Sequence, residues 1–291
     1  MFINESESAL LEKFIKASQD IGKNKAYVQG AGGNTSLKIN EEIIAVKSSG
    51  FELADISVSQ GLSYLKYKEI IDYYNQNPQT TSQQFNEVVY KSASQFNNFK
   101  PSIETSFHCL IPKKIVIHTH SIYANILTCS VEGKDIALEL FDCVWIPYKT
   151  PGIELAIEIM KALQQKQSRI IFLENHGLII TADSVEEAVN LHEEVNSKIC
   201  QKFNLEELNN NYEILDMDYI RNNILFPDQI VYSTTDKFIN TKAAIEVLTA
   251  YSYMVNNIEK CNLTLKCLDK NHVDIINNMD SEKYRQSLIK N

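Results

Sequence analysis

The amino-acid sequence predicts an α/β fold, in which helices pack against strands that are buried in the core. Short apolar runs rich in β-branched residues, at 115–121 and 169–177, are typical of such strands. Segments 7–20, 153–165 and 184–203 instead carry apolar residues at helical spacing. Because the two patterns alternate along the chain, we expect helices on both sides of the strands.

The elements follow one another in a regular order. The first helix is predicted at residues 7–20, and a glycine-rich loop then leads to a strand candidate at 42–47. Residues 51–74 are expected to form turns and then a helix, whereas the polar segment 75–100 is expected to be a surface loop or a weak helix. A further strand is expected at 178–181, directly before the last of the three helices above.

A run rich in Asn and Glu follows that helix, and we place a domain boundary within it. Residues 1–208 are expected to form the main domain, and residues 209–291 a mostly helical C-terminal extension, packed on this domain or at a subunit interface. Within the extension we predict a strand at 229–232 and helices at 242–260 and 280–289. The extension contains no pattern that indicates a chemical function.

Composition narrows the class of protein. Of the 291 residues, 44% are hydrophobic and 22% are charged, as in ordinary globular proteins. The net charge of -9 argues against nucleic acid or an anionic membrane as a partner, because both favour clustered Lys and Arg. The sequence lacks an apolar run of membrane-spanning length and a signal-peptide pattern, and its six cysteines are scattered. We therefore expect a cytoplasmic protein with reduced thiols.

Two histidines at the end of the strand at 115–121 are candidate metal ligands. In a strand, His118 and His120 leave the backbone on the same face, so that two imidazoles are already placed together. A catalytic zinc ion needs a third protein ligand and an open position for water or substrate. The strand at 169–177 also ends near a histidine, His176, which is followed by a glycine. The alternative is that His118 and His120 are simply surface residues at a strand end.

Two loops combine glycines with small hydrogen-bond donors. Gly33, Asn34 and Thr35 lie in the first loop, and Ser49 and Gly50 in the second. Glycines bring backbone N–H groups close to an anion, and the polar side chains add donors, so the loops are candidates for a phosphate site. A hairpin turn without a ligand is the alternative for the first loop.

An acidic residue, Glu104, precedes the histidine strand. Ser102 can cap a helix that places Glu104 in its first turn, where the helix dipole favours a carboxylate for structural reasons alone. The functional alternative is an acid/base group beside the metal. We expect His108 to be a buried structural residue and His192 to be a surface or packing residue.

Four short motifs, in this order, give the chain a resemblance to a known family. They are GGNTS at 32–36, PSIE at 101–104, HTH at 118–120 and NHG at 175–177. With these motifs the chain resembles the class II aldolase/adducin family over about residues 8–205. The members it looks most like are zinc-dependent fuculose- and rhamnulose-phosphate aldolases and the aldolase half of bifunctional rhamnulose-phosphate aldolase/dehydrogenases.

The resemblance implies a fold and a set of site residues. The fold would be a three-layer α/β/α sandwich with a mostly antiparallel central sheet, commonly assembled as a homotetramer. Glu104 would be the acid/base, and Zn2+ or another divalent ion would be bound by His118, His120 and His176. The substrate's phosphate would be bound by Gly33, Asn34, Thr35, Ser49, Gly50 and Ser102.

The sequence departs from the family pattern at one position and leaves another open. Ile103 stands where the aldolases usually carry a second serine, which removes one phosphate donor. A tyrosine or an acidic residue of a neighbouring subunit often completes the aldolase site. Tyr148 is our candidate for that catalytic residue, with Glu139 as the alternative.

The activity implied by the resemblance is the reversible cleavage of a ketose, as its 1-phosphate, to dihydroxyacetone phosphate and an aldehyde. A metal-dependent sugar-phosphate epimerase is one alternative, although epimerases of this family typically carry Asp in place of Glu104. A dehydratase and a non-catalytic adducin-like binding protein are the others, and the binding protein would not keep all three histidines. The sequence leaves open which ketose and aldehyde are used.

Overall fold

Seven strands form one sheet in the computed structural model, which describes residues 4–96, 99–209, 212–233 and 237–288. The strands are β1 (Asn34–Lys38), β2 (Ile43–Lys47), β3 (Leu62–Lys66), β4 (Ile115–Thr119), β5 (Val144–Ile146), β6 (Ile170–Leu173) and β7 (Gly177–Ala182). Their order across the sheet is β3-β2-β1-β4-β7-β6-β5. The pair β5–β6 is parallel, and the other neighbouring pairs are antiparallel.

Helices cover both faces of this sheet. Those in the first half of the chain are α1 (Glu5–Lys23), α2 (Tyr67–Gln76), α3 (Ser82–Ala93), α4 (Thr105–Leu110), α5 (Ile122–Thr128) and α6 (Gly133–Leu140). Those in the second half are α7 (Ile153–Gln165), α8 (Val185–Phe203), α9 (Met217–Asn222), α10 (Pro227–Ser233), α11 (Lys242–Lys260), α12 (Lys270–Asn278) and α13 (Asp280–Leu288). One apolar cluster joins the sheet to α1, α5, α8 and α11, and a second joins its other face to α2, α3, α4 and α7. The predicted three-layer α/β/α sandwich is thus confirmed.

The central strand β4 shows why the sequence reads as a continuous apolar run. All five of its residues are buried. Ile115 and Ile117 belong to one apolar cluster and Val116 to the other, because successive side chains of a strand point to opposite faces. A strand covered on both faces has no solvated side and therefore needs no polar alternation.

Two predictions of local structure, at 51–74 and 229–232, were wrong, and the segment 75–100 forms the helix that was one of its two predicted alternatives. Leu62–Lys66 is a strand and not part of a turn region, because it pairs with β2 along its whole length. The polar segment before residue 100 contains the regular helix α3, which Thr81 caps in a capping box. The strand predicted at 229–232 lies within α10, which starts at Pro227, a residue suited to the first turn of a helix.

The C-terminal extension packs on the rest of the chain. Helix α11 lies against α5, and its buried residues Val247, Tyr251 and Met254 belong to the same apolar cluster as α1 and α8. Helices α12 and α13 in turn pack against α10. Over the described ranges, no helix combines the length and apolar character needed to cross a membrane.

Candidate metal centre

Three histidines converge at one end of the central strands. Strand β4 carries His118, His120 follows it directly, and His176 lies in the tight turn between β6 and β7. All three side chains are buried, and each offers a ring nitrogen, with these nitrogens within 4.8 Å of one another. Antiparallel pairing of β4 with β7 brings the two parts of the cluster together.

The turn that carries His176 is fixed by the residue before it. Asn175 has a left-handed backbone with φ 51°, which Asn tolerates better than most residues. Its buried side-chain amide donates hydrogen bonds to the carbonyl oxygens of Leu225, at 2.9 Å, and Lys266, at 2.6 Å. The backbone of the C-terminal extension therefore holds the turn in place.

The hydrogen bonds of two imidazoles direct their other nitrogens at each other. His118 Nδ1 lies 3.1 Å from the carbonyl oxygen of Leu178, which can only accept, so Nδ1 is the donor. His120 Nδ1 likewise donates to Asp228 Oδ2 at 2.7 Å. The two Nε2 atoms face each other at 3.2 Å.

This arrangement fits a divalent ion. Burial lowers the pKa of His118 well below its ordinary value, so the ring is neutral and its Nε2 carries a lone pair. Two ligands bound to zinc at about 2.0–2.1 Å in a tetrahedron lie about 3.3 Å apart, close to the observed separation of the Nε2 atoms. Converging imidazole nitrogens are a donor set that zinc and similar divalent ions prefer.

The carboxylate of Glu104 lies beside the histidines. Its Oε1 is 3.1 Å from His176 Nε2 and 3.6 Å from His118 Nε2, and this buried oxygen makes no hydrogen bond within the described part of the chain. Burial opposes ionisation, but the interaction with His176, 3.1 Å away, holds the pKa of Glu104 well below its usual range. The free oxygen is therefore a proton acceptor aimed at the centre of the cluster.

The other oxygen of Glu104 is held by a chain of hydrogen bonds. Oε2 accepts from Asn34 Nδ2 at 2.6 Å, Asn34 Oδ1 accepts from His108 Nε2, and His108 Nδ1 lies 2.7 Å from Ser36 Oγ. His108 is thus the buried structural residue that the sequence predicted. The amide of Asn34 serves Glu104, which is a different role from the predicted phosphate contact.

The start of α4 differs from the prediction. The helix begins at Thr105, so Glu104 is its N-cap residue and does not lie in its first turn. Ser102 Oγ does not cap the helix but accepts from the backbone N–H of Glu104 at 3.2 Å. This short turn places the Glu104 side chain over the cluster.

A cavity beside the histidines contains most of the predicted substrate residues. Those that line it are Gly33, Asn34, Ser49, Ser102, Glu104, His120 and His176, together with Ile103. Gly33 adopts φ 58°, and a Cβ there would lie 2.9 Å from the carbonyl oxygen of His118, so the close approach of this loop to β4 requires glycine.

Two predicted phosphate residues lie elsewhere. Thr35 is on the opposite face of β1 from Asn34, and its Oγ1 is 2.8 Å from Ser18 Oγ on α1. This is a correction that follows from the alternation of side chains along a strand. Gly50, with φ 81°, faces the side chain of Leu288 in α13.

The structure adds a lysine that the sequence analysis missed. Lys47, the last residue of β2, is 3% exposed and lines the cavity. Its ammonium group donates to the carbonyl oxygens of Ala31, at 2.6 Å, and Gly33, at 3.0 Å, and no carboxylate of the described residues forms an ion pair with it. Burial lowers its pKa to about 7. A lysine at the end of an otherwise apolar strand was the available signal.

The C-terminal extension supplies five further residues of the cavity lining: Pro227, Asp228, Ser281, Glu282 and Arg285. Asp228 in α10 contacts His120, and Arg285 in α13 contacts Asp228. Their sequence surroundings gave no indication of this, because the contacts join positions 57 to 108 residues apart.

The candidates for a residue supplied by a neighbouring subunit lie outside this cavity. The ring of Tyr148 stacks edge-on against His272 at 4.6 Å, and its buried hydroxyl has no hydrogen-bond partner within the described residues. Glu139 is on α6, where it lies 3.9 Å from Lys202. A role for Tyr148 in the site of another subunit stays a prediction.

The fold and the histidine cluster together define a metal site of the class II aldolase type. Residues 12–201 match the family described as class II aldolase and adducin N-terminal domain, and the chain belongs to this family. Among solved structures, the N-terminal class II aldolase domain of a conserved protein from Thermoplasma acidophilum is 27% identical. It superposes with a TM-score of 0.60 and covers 70% of this chain and 96% of that domain.

Two curated relatives have different names. One is the uncharacterized oxidoreductase YuxG of Bacillus subtilis (strain 168), 27% identical over 213 residues, which cover 68% of this chain and 31% of YuxG. The match therefore spans about a third of the length of YuxG. The other is 3-oxo-tetronate 4-phosphate decarboxylase of Escherichia coli O6:H1 (strain CFT073), 23% identical over 205 residues, which cover 65% of this chain and 84% of the decarboxylase.

Proposed function

We propose that the protein is a divalent-metal-dependent aldolase that reversibly cleaves a ketose 1-phosphate to dihydroxyacetone phosphate and an aldehyde. The observation that carries the proposal is the position of Glu104, whose free Oε1 lies within 3.6 Å of two ring nitrogens of the histidine cluster. A carboxylate at this place can move a proton at a carbon next to the carbonyl of a bound ketose. The same arrangement serves both directions of the reaction.

The proton steps follow from the state of Glu104. In the direction of synthesis, the ionised carboxylate removes a proton from the carbon next to the carbonyl of dihydroxyacetone phosphate, and the electron pair left there forms the new carbon–carbon bond. In cleavage, the electron pair of the broken bond stays on that carbon, and the protonated Glu104 returns the proton. When bound, a divalent ion supplies a Lewis acid for the negative charge that develops on the carbonyl oxygen.

The remaining features of the aldolase proposal concern the assembly. We propose a homotetramer with zinc as the ion, in which Tyr148 of a neighbouring subunit donates the proton to the aldehyde oxygen on synthesis. These features rest on the family resemblance.

The buried cation Lys47 supports an anionic substrate. The amino group of Lys47 contacts only carbonyl oxygens, so no negative charge among the described residues pairs with it directly, although Asp228 and Glu104 are close enough to act on its pKa. A phosphate beside Ser49 and Ser102 would supply that charge and would offset the donor lost at Ile103. We expect Lys47→Met to raise the KM for dihydroxyacetone phosphate and to leave use of unphosphorylated dihydroxyacetone unchanged.

Exchange of carbon-bound hydrogen tests the role of Glu104 without knowledge of the aldehyde. We would incubate zinc-loaded protein with dihydroxyacetone phosphate in deuterated water and follow the loss of the C–H signal by proton NMR. The wild-type protein should catalyse exchange, whereas Glu104→Gln should keep its zinc and slow exchange by roughly a hundredfold or more. Glu12→Gln, at an exposed position of α1, is the matched control. Exchange at the wild-type rate in zinc-loaded Glu104→Gln would refute the assignment.

Decarboxylation is the second candidate, because the Escherichia coli relative is named as a decarboxylase of a 3-oxo acid phosphate. Loss of CO2 from a 3-oxo acid leaves negative charge on a carbon next to a carbonyl, which then takes up a proton. The same ion and the same carboxylate could serve both reactions. Release of CO2 from 3-oxo acid phosphates, together with failure to exchange dihydroxyacetone phosphate, would favour decarboxylation over aldol cleavage.

A further inference from the structure

A buried chain of charged groups connects the C-terminal extension to the histidine cluster. Arg285 Nη2 donates to Asp228 Oδ1 at 2.7 Å, and Asp228 Oδ2 accepts from His120 Nδ1 at 2.7 Å. Arg285 Nη1 also donates to Glu282 Oε2 at 2.9 Å. Asp228 is 1% exposed and Glu282 is 6% exposed, so these contacts are shielded from water.

The three histidines differ in the partner of the nitrogen that faces away from the cluster. His118 Nδ1 donates to a neutral carbonyl, and His176 Nδ1 has no hydrogen-bond partner among the described residues. His120 alone of the three donates to a carboxylate. A carboxylate on the far nitrogen fixes the orientation of a ligating imidazole and makes its other nitrogen a stronger donor to a metal.

Arg285 makes the buried carboxylate of Asp228 tolerable. An isolated buried carboxylate would be costly, and it would tend to take up a proton. Arg285 Nη2 lies 2.7 Å from Asp228 Oδ1 and so places a positive charge against this carboxylate. The guanidinium group thereby orients Asp228 toward His120.

The glycine loop is shaped to admit Asp228. A Cβ at Gly32 would lie 2.9 Å from His120 Nδ1 and would collide with Asp228 Oδ2. The absence of a side chain at position 32 is therefore required by the contact between Asp228 and His120. This steric fit is an observation separate from the hydrogen bonds, because Gly32 belongs to the glycine loop and makes none of the contacts in the chain of charged groups.

We propose that Asp228 is a positioning residue of the metal centre, which acts through His120, and that Arg285 holds it in place. The C-terminal extension, which lies beyond the family segment 12–201, thus supplies part of the site. This inference concerns binding of the ion by the three histidines and does not depend on the identity of the substrate.

Metal affinity is the direct test. We would measure zinc binding by competition with a chromophoric chelator for wild-type protein, Asp228→Asn and Asp274→Asn, an exposed carboxylate of α12 that serves as the control. Asp228→Asn should bind zinc 10- to 100-fold more weakly, and the control should match the wild type. Arg285→Gln should show a smaller loss, because it leaves the carboxylate present but less well held.

A second measurement separates positioning from a general loss of structure. The visible spectrum of the Co2+-loaded protein reports the geometry around the ion, and we expect it to change in Asp228→Asn and in Arg285→Gln. If Asp228→Asn does not fold, the spectrum and zinc affinity of Arg285→Gln still decide the question. Wild-type zinc affinity together with an unchanged cobalt spectrum, in a folded variant of either residue, would overturn the proposal.

Discussion

Replacement of Asn175 should reveal how strongly the C-terminal extension holds the His176 turn. Asn175→Gly keeps the left-handed backbone but removes the hydrogen bonds to Leu225 and Lys266. A buried carbonyl left without its partner costs about 1–3 kcal/mol, and the partly buried carbonyl of Lys266 should cost less than that of Leu225, so we expect the free energy of unfolding to fall by about 2–4 kcal/mol. Asn175→Ala should lose a further 1–2 kcal/mol, roughly, because a side chain is disfavoured at φ 51°.

Asn204 provides the matched control for the backbone effect. It has φ 49° at the C-terminal end of α8, and its side chain is exposed. Asn204→Gly therefore introduces the same flexibility in the unfolded chain without breaking buried hydrogen bonds, and should change stability by about 0.5 kcal/mol or less. The difference between Asn175→Gly and Asn204→Gly isolates the two buried contacts.

Urea unfolding of metal-free protein, followed by circular dichroism, measures these free energies. Zinc affinity measured on the same samples should also fall in both Asn175 variants, because the turn presents His176. The reasoning would be refuted if Asn175→Gly were as stable as Asn204→Gly. Equal stability of Asn175→Gly and Asn175→Ala would show that the left-handed backbone carries no cost.

Three further predictions concern the cavity. Lys47 has a folded-state pKa of about 7, below its unfolded value, so the unfolded chain binds more protons between pH 7 and 10 and stability rises with pH there. Between pH 7 and 10, the free energy of unfolding of the wild type should therefore rise by on the order of 4 kcal/mol more than that of Lys47→Met. A difference between the two proteins that does not change with pH would contradict the assignment. Zinc at 100 times its Kd should stabilise the wild type by about 2.7 kcal/mol in thermal unfolding but leave His176→Ala unaffected. Asn34→Ala should slow hydrogen exchange of dihydroxyacetone phosphate roughly tenfold with zinc retained, because Glu104 loses its donor; an unchanged rate would exclude this role.

The sequence was most informative where local pattern and structure coincide. The strand that carries His118 is buried on both faces, and such strands leave a continuous apolar run that is visible without a structure. The glycine after His176 likewise marks a tight turn. Side-chain alternation along a strand could also have separated Asn34 from Thr35, since adjacent residues of a strand point to opposite faces.

Long-range contacts explain what the sequence did not reveal. Leu62–Lys66 is a strand because it pairs with β2, and the residues of the segment itself do not predict that pairing. The charged residues Asp228 and Arg285 look like ordinary surface positions in sequence, yet both line the cavity. Their roles depend on packing of the extension against the glycine loop, which only the folded chain shows.

The shared space at Gly32 has a consequence for which residues position 32 can carry. A side chain there would collide with Asp228 Oδ2 of the extension, and it would also lie 2.9 Å from His120 Nδ1 and 3.0 Å from the carbonyl oxygen of Gln29. The glycine is therefore required twice, once by the loop of the family segment and once by a residue 196 positions further along the chain. A larger residue at position 32 should disturb the His120 end of the histidine cluster as well as the seat of Asp228.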